Sequence, residues 1–120
     1  MKLPTRIQRR RTKGFRLPPG TLCVTRPGPW GNPFNWREIQ AEQGVGARYA
    51  KTIALDMFRG FVMEPWRAPD DRKRNALSWI IQHIPDLAEY DRIACTCRED
   101  EECHGDVLLA MLAERLKETT

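Results

Sequence analysis

The first 37 residues contain no aspartate or glutamate, although sixteen acidic residues follow in a chain of 120. Nine of the twenty lysines and arginines fall in that stretch, so a net charge of +4 conceals an electropositive first third and an acidic remainder. Also missing is any apolar run approaching the roughly 20 residues that a membrane span requires. The basic N-terminus lacks the apolar segment and small-residue cleavage site of a secretory signal. The expectation is a protein without a membrane partner, in a reducing cytoplasm where its four cysteines are thiols or metal ligands, not disulfides. No internal repeat and no low-complexity linker divides the chain. With 41% hydrophobic and 30% charged residues it reads as a single soluble domain over residues 1–120, with residues 1–16 a basic arm or edge strand.

Cysteine and histidine are scarce but concentrated. Cys95, Cys97, Cys103 and His104 put three of the four cysteines and one of the two histidines within ten residues. Thiolate and imidazole bind metals or act as nucleophile and base, and a helix start beside them stabilises negative charge.

The hydrophobic pattern places these residues on elements. Residues 5–11 suit an edge strand, and Thr21-Leu22-Cys23-Val24-Thr25 has the length and β-branched content of a buried one. The loop from Arg26 to Phe34 holds three prolines and two glycines, so restricted dihedrals should stiffen it. A short helix is expected over Trp36–Gln43, broken at Gly44 and Gly46. In residues 47–62, Ala50, Ile53, Ala54, Met57, Phe58 and Phe61 recur at helical spacing. A third helix should start after Pro69, with Asp70 and Asp71 in its first turn, and stop at Pro85. Arg92–Cys97 reads as a buried strand, and the last helix as Val107–Lys117 with Asp106 as N-cap. The order predicts a small α/β fold: a short, mainly parallel sheet of two or three strands flanked by three or four helices. In such sheets ligands sit at the carboxyl ends of the strands. The loops Pro27–Phe34 and Arg98–Gly105 both leave from those ends and are expected to meet.

The residues quoted so far resemble a known family. The stretch Arg6 to Pro18, then Trp30-Gly31-Asn32-Pro33-Phe34, then Ala94-Cys95-Thr96-Cys97 and Cys103-His104-Gly105-Asp106-Val107-Leu108 are similar to the domain of unknown function 4326, seen mostly in phages and bacteria. The family usually has Trp where this chain has Thr96, and a less acidic loop before Cys103. The resemblance implies a shared site and a phage or bacterial origin, with the host cytoplasm as location, and no particular activity.

Three readings of the sulfurs stand side by side. Cys95, Cys97, Cys103 and His104 supply a Cys₃His set of the kind that binds zinc, although structural zinc sites usually space paired cysteines by two to four residues. Alternatively, Cys103 is a nucleophile activated by the helix start and His104, opposed by Glu101 and Glu102. Or the cysteines are small core residues. Gly105 permits close approach of an anion to the helix start, where His104 and Asp106 are candidates for proton transfer. In the rigid loop, Trp30 and Phe34 offer a stacking face for a base, and the Asn32 amide, held between Gly31 and Pro33, an edge to pair with it. Arg6, Arg9, Arg10, Arg11, Lys13 and Arg16 are candidate phosphate contacts. Trp36, Trp66 and Trp79 read as structural.

Two function classes follow. One is a small enzyme, a hydrolase or transferase, acting on a nucleotide, nucleoside or modified base. The other is a non-catalytic nucleic-acid-binding or host-interaction module in which the cysteines, with or without zinc, form a clasp.

Overall fold

The computed structural model describes residues 3–10 and 12–118. Three short strands form the sheet: β1 (Thr5–Gln8), β2 (Thr21–Cys23) and β3 (Arg92–Cys95). Their order is β1-β3-β2, and both outer strands run parallel to β3, with Ile7 opposite Ala94 and Leu22 opposite Ile93. Parallel neighbours need long crossovers, and the helices provide the one from β2 to β3. These are α1 (Trp36–Gln43), α2 (Ala47–Phe61) and α3 (Asp71–His83), with α4 (His104–Glu118) following β3. The fold is thus the small parallel α/β arrangement expected.

Strand boundaries are tighter than the sequence pattern suggests. β1 ends at Gln8, with one further bond from Arg9 N to Cys95 O at 2.7 Å. β3 ends at Cys95 because the chain turns there, and the Cys97 amide donates back to Cys95 Sγ at 3.1 Å.

Helix ends follow side-chain chemistry. Asn35 caps α1 by accepting from Arg37 N at 3.0 Å, and Gly44 ends that helix in the left-handed region at φ 65°. Asp70 lies just outside α3 as its N-cap, accepting from Lys73 N at 2.8 Å, so only Asp71 belongs to the first turn. Pro85 does not abut α3. The helix stops at His83, and a 3-10 segment, Ile84–Glu89, takes Pro85 at its start, where a missing N–H costs nothing.

The core joins the sheet to one face of each long helix. Phe58 from α2, Leu77 and Ile80 from α3, Leu108 and Leu112 from α4, and Val24 and Ile93 from the sheet region are all fully buried. Each such side chain contributes about 1.5–3 kcal/mol relative to exposure. α4 packs on β3 and on α2, which fixes its first turn against the carboxyl end of the central strand. Trp66 departs from expectation: it is 71% exposed, because the 3-10 turn Pro65–Arg67 buries Pro65 and turns the indole outward.

A cysteine and histidine cluster beneath a cationic cavity

α4 begins three residues earlier than the apolar pattern indicates, and this changes the role of Asp106. Cys103 is the residue before the helix, and Asp106 is its third residue. The Asp106 carboxylate reaches back to accept from Cys103 N at 3.1 Å, while Asp106 N donates to Cys103 O at 2.9 Å. It is the returning partner of a capping box, not the N-cap. Its other oxygen accepts from Arg6 Nε at 2.9 Å.

That start of α4 gathers the sulfurs. Cys95 Sγ and Cys103 Sγ are 2.8 Å apart, both side chains buried, and Gly105 N donates to Cys103 Sγ at 3.4 Å. The His104 ring stands with Nδ1 3.6 Å from Cys103 Sγ and Nε2 2.8 Å from the Val24 carbonyl. A carbonyl only accepts, so Nε2 carries the proton and Nδ1 faces the sulfur with its lone pair. Phe58 packs edge-on against the imidazole, ring centres 5.7 Å apart. Burial holds His104 below the usual imidazole range, against the opposing pull of the Val24 and Trp30 backbones.

The three thiols share protons unequally. Hydrogen bonds from Cys103 and Cys95 hold the Cys97 thiol down to about 3, overcoming burial. Cys103 goes the other way, its proton held by Cys95 and Cys97 and its charged form further disfavoured by burial. Cys95 is pushed up to about 11: a bond from Cys103 lowers it, but its bond to Cys97 and burial outweigh that. Of the three sulfurs, the half-buried Cys97 is thus the one on which negative charge is favoured, with the Arg6 guanidinium adding to the pull. Cys23 stands apart, bonded to Thr25 Oγ1 at 3.0 Å and approached by Arg9.

Over this cluster opens a cavity of about 880 Å³, at the carboxyl ends of β2 and β3. Cys95, Cys97, Cys103 and His104 border it, as do five cations: Arg9, Arg10, Arg26, Arg37 and Lys51. Glu101 and Glu102 add carboxylates, and Asn32, Phe34 and Trp36 add amide and ring surface. The proline-rich loop and the cysteine-bearing loop do meet. Such an arrangement can ligate a soft metal, or present a sulfur and an imidazole to an anionic ligand.

The family model of the domain of unknown function 4326 matches residues 7–114. The chain belongs to that family. No curated protein and no solved structure matches it. The DUF4326 match spans both loops and the whole cysteine and histidine cluster, so the geometry above is that of the family's matched segment.

Several residues of this DUF4326 chain stand elsewhere than the sequence suggests. Trp30 is only 6% exposed and packs edge-on against Trp79 at 5.1 Å; it lies in the core, with no face turned to a base. Phe34 is buried and stacks on Phe61 at 5.6 Å, with Lys73 Nζ 6.0 Å from its ring centre, so although it borders the cavity its ring is engaged within the protein. Both ends of the Asn32 amide are taken: Nδ2 donates to Ala54 O at 3.1 Å, and Oδ1 accepts from Phe34 N at 2.9 Å. Pro33 is half-buried, and Gly31 lies against Arg26, where a Cβ would come within 2.8 Å of the Arg26 backbone nitrogen. Gly105 is buried against Arg6 and Ile93, so no anion reaches it.

Among the arginines, Arg6 is not a phosphate contact. Its side chain is 8% exposed and ties Asp106 to the carbonyls of Arg98, Glu99 and Glu101. Arg9 and Arg10 border the cavity; Lys13 and Arg16 are exposed away from it, and Arg11 lies outside the described residues. Arg26, Arg37 and Lys51 were not marked by sequence as site residues. Lys51, Ala54 and Leu55 recur at three and four along α2 and all border the cavity, a helical spacing that carries the signal.

Proposed function

We propose that the protein is a small enzyme, a hydrolase or transferase, that binds a nucleotide or nucleoside phosphate in this cavity, with the reaction at the sulfur and imidazole floor. The observation that carries the reading is the pairing of five cations around one opening with Cys97 and His104 at its base. Converging guanidinium and ammonium groups recognise phosphate, Arg in bidentate fashion. Glu101 and Glu102 suit the amino and hydroxyl donors of a base or ribose, which inorganic phosphate lacks. Trp36, half-buried at the cavity, holds Lys51 Nζ 4.9 Å and Arg37 5.2 Å from its ring centre, so the indole orients two of the five cations.

The test is calorimetric titration of the full chain with nucleoside mono- and diphosphates, followed by turnover assays on whichever binds. Lys51→Ala and Arg26→Ala should each weaken binding about tenfold, the loss of one charged hydrogen bond. His104→Ala should abolish turnover in a folded protein. Binding to DNA that falls steeply with salt and ignores His104→Ala, with no nucleotide bound, would replace this reading by the nucleic-acid module.

A further inference from the structure

The Sγ atoms of Cys95 and Cys103 and a nitrogen of His104 all lie within 4.8 Å of one another, contributed by the end of β3 and the start of α4. Tetrahedral zinc, with bonds of about 2.3 Å to sulfur and 2.0–2.1 Å to nitrogen, separates a sulfur and a nitrogen ligand by about 3.6 Å. Cys103 Sγ and His104 Nδ1 are 3.6 Å apart. The two sulfurs, at 2.8 Å, need to open by about 1 Å to reach the corresponding sulfur–sulfur edge, which a small χ1 rotation supplies.

The surroundings are those of ligands. A metal-binding imidazole characteristically donates its second N–H to a carbonyl, fixing tautomer and ring plane, and His104 does so to Val24. Each buried sulfur accepts a backbone amide, Cys95 from Cys97 N and Cys103 from Gly105 N. A purely apolar filling of this space would need neither the pinned imidazole nor the amide donors.

We infer that Cys95, Cys103 and His104, with Cys97 closing the fourth position from the cavity side, bind one zinc ion. Mixed thiolate and imidazole donors in a closed four-ligand set favour zinc over magnesium or calcium, which take oxygen. The ion would weld the end of β3 to the start of α4 and bring a positive charge to the floor of the cavity. The inference stands on the ligand geometry and not on the nucleotide reading; with zinc bound, Cys97 and His104 are ligands, and what the floor offers the nucleotide is the charge of the ion and not a free thiolate and imidazole.

The full chain, expressed with zinc and then dialysed, should carry about one zinc per molecule by elemental analysis. Cys103→Ser and His104→Ala should each lose it. Cobalt(II) in its place should show thiolate charge-transfer absorption, reduced in Cys97→Ser. Should the variants fail to fold, wild-type protein answers by alkylation: zinc should protect Cys97, the half-buried ligand, while the equally accessible Cys23 still reacts. A folded protein with no zinc, zinc that survives both Cys103→Ser and His104→Ala, or alkylation unaffected by zinc would overturn the inference. Nucleotide binding by a protein that fails these zinc tests would leave the proposed function standing while this one fell.

Discussion

Arg6 and Asp106 lie 100 positions apart in the chain, and Arg6 Nε donates to Asp106 Oδ1 at 2.9 Å. The same guanidinium donates to the carbonyls of Arg98, Glu99 and Glu101 at 3.3, 3.1 and 2.8 Å. One side chain on β1 thus holds both the acidic loop and the capping carboxylate of α4, and through them the position of Cys103.

Arg6→Met should therefore destabilise the protein by about 2–4 kcal/mol, since it strands a paired carboxylate and several loop carbonyls. Urea unfolding would register this as a lower midpoint at unchanged slope. Arg6→Lys should recover only a minor part, because a point ammonium cannot span the fork of acceptors.

Gly31→Ala tests how tightly the proline-rich loop is folded. A Cβ there would meet Arg26 N at 2.8 Å and Arg26 Cα at 2.9 Å, and backbone atoms cannot swing aside. A loss of about 1–3 kcal/mol is expected from the overpacking. Arg26 borders the cavity, so nucleotide affinity should fall with it.

Asp70 supplies a pH dependence. The hydrogen bonds from Lys73, side chain and backbone, hold its carboxyl below the usual range in the folded state. Its contribution is complete above the ordinary carboxylate pKa and disappears as pH falls through the depressed folded value. Asp70→Asn keeps a capping oxygen but cannot titrate. Thermal unfolding from pH 7 to pH 2 should show a shallower acid decline for Asp70→Asn than for wild type.

Ionic strength separates the cavity from the exposed arm. Nucleotide binding should weaken with added salt, and the dependence should flatten in an Arg9→Ala, Arg10→Ala double variant but not in Lys13→Ala, Arg16→Ala. Equal flattening in both would argue that charge at a distance, not contact, draws the ligand.

The legible parts of the fold were those governed by local periodicity. The Ala50, Ala54, Phe58 face of α2 and the buried run Ile93–Cys95 are visible because helical and extended repeats sort side chains without help from distant residues. The start of α4 is not legible in the apolar pattern because His104 and Gly105 are poor apolar markers, and the reciprocal bonds, Cys103 N to the Asp106 carboxylate and Asp106 N to Cys103 O, show that the helix already includes them. Trp30 and Arg6 misled for a shared reason. A ring or a guanidinium is equally at home in a core or at a ligand, and its neighbours, Trp79 and Asp106, are remote in the chain.

By itself the sequence determined the elements, the parallel connection and the clustering of sulfur and imidazole in one short segment, because each follows from spacing along the chain. The tertiary structure alone decided that Val24 would pin His104, that Arg6 would serve α4 and not phosphate, and that Arg26, Arg37 and Lys51 would share an opening with Cys97. Those relations depend on which strand ends lie side by side, and pairing both outer strands to β3 sets that across most of the chain's length.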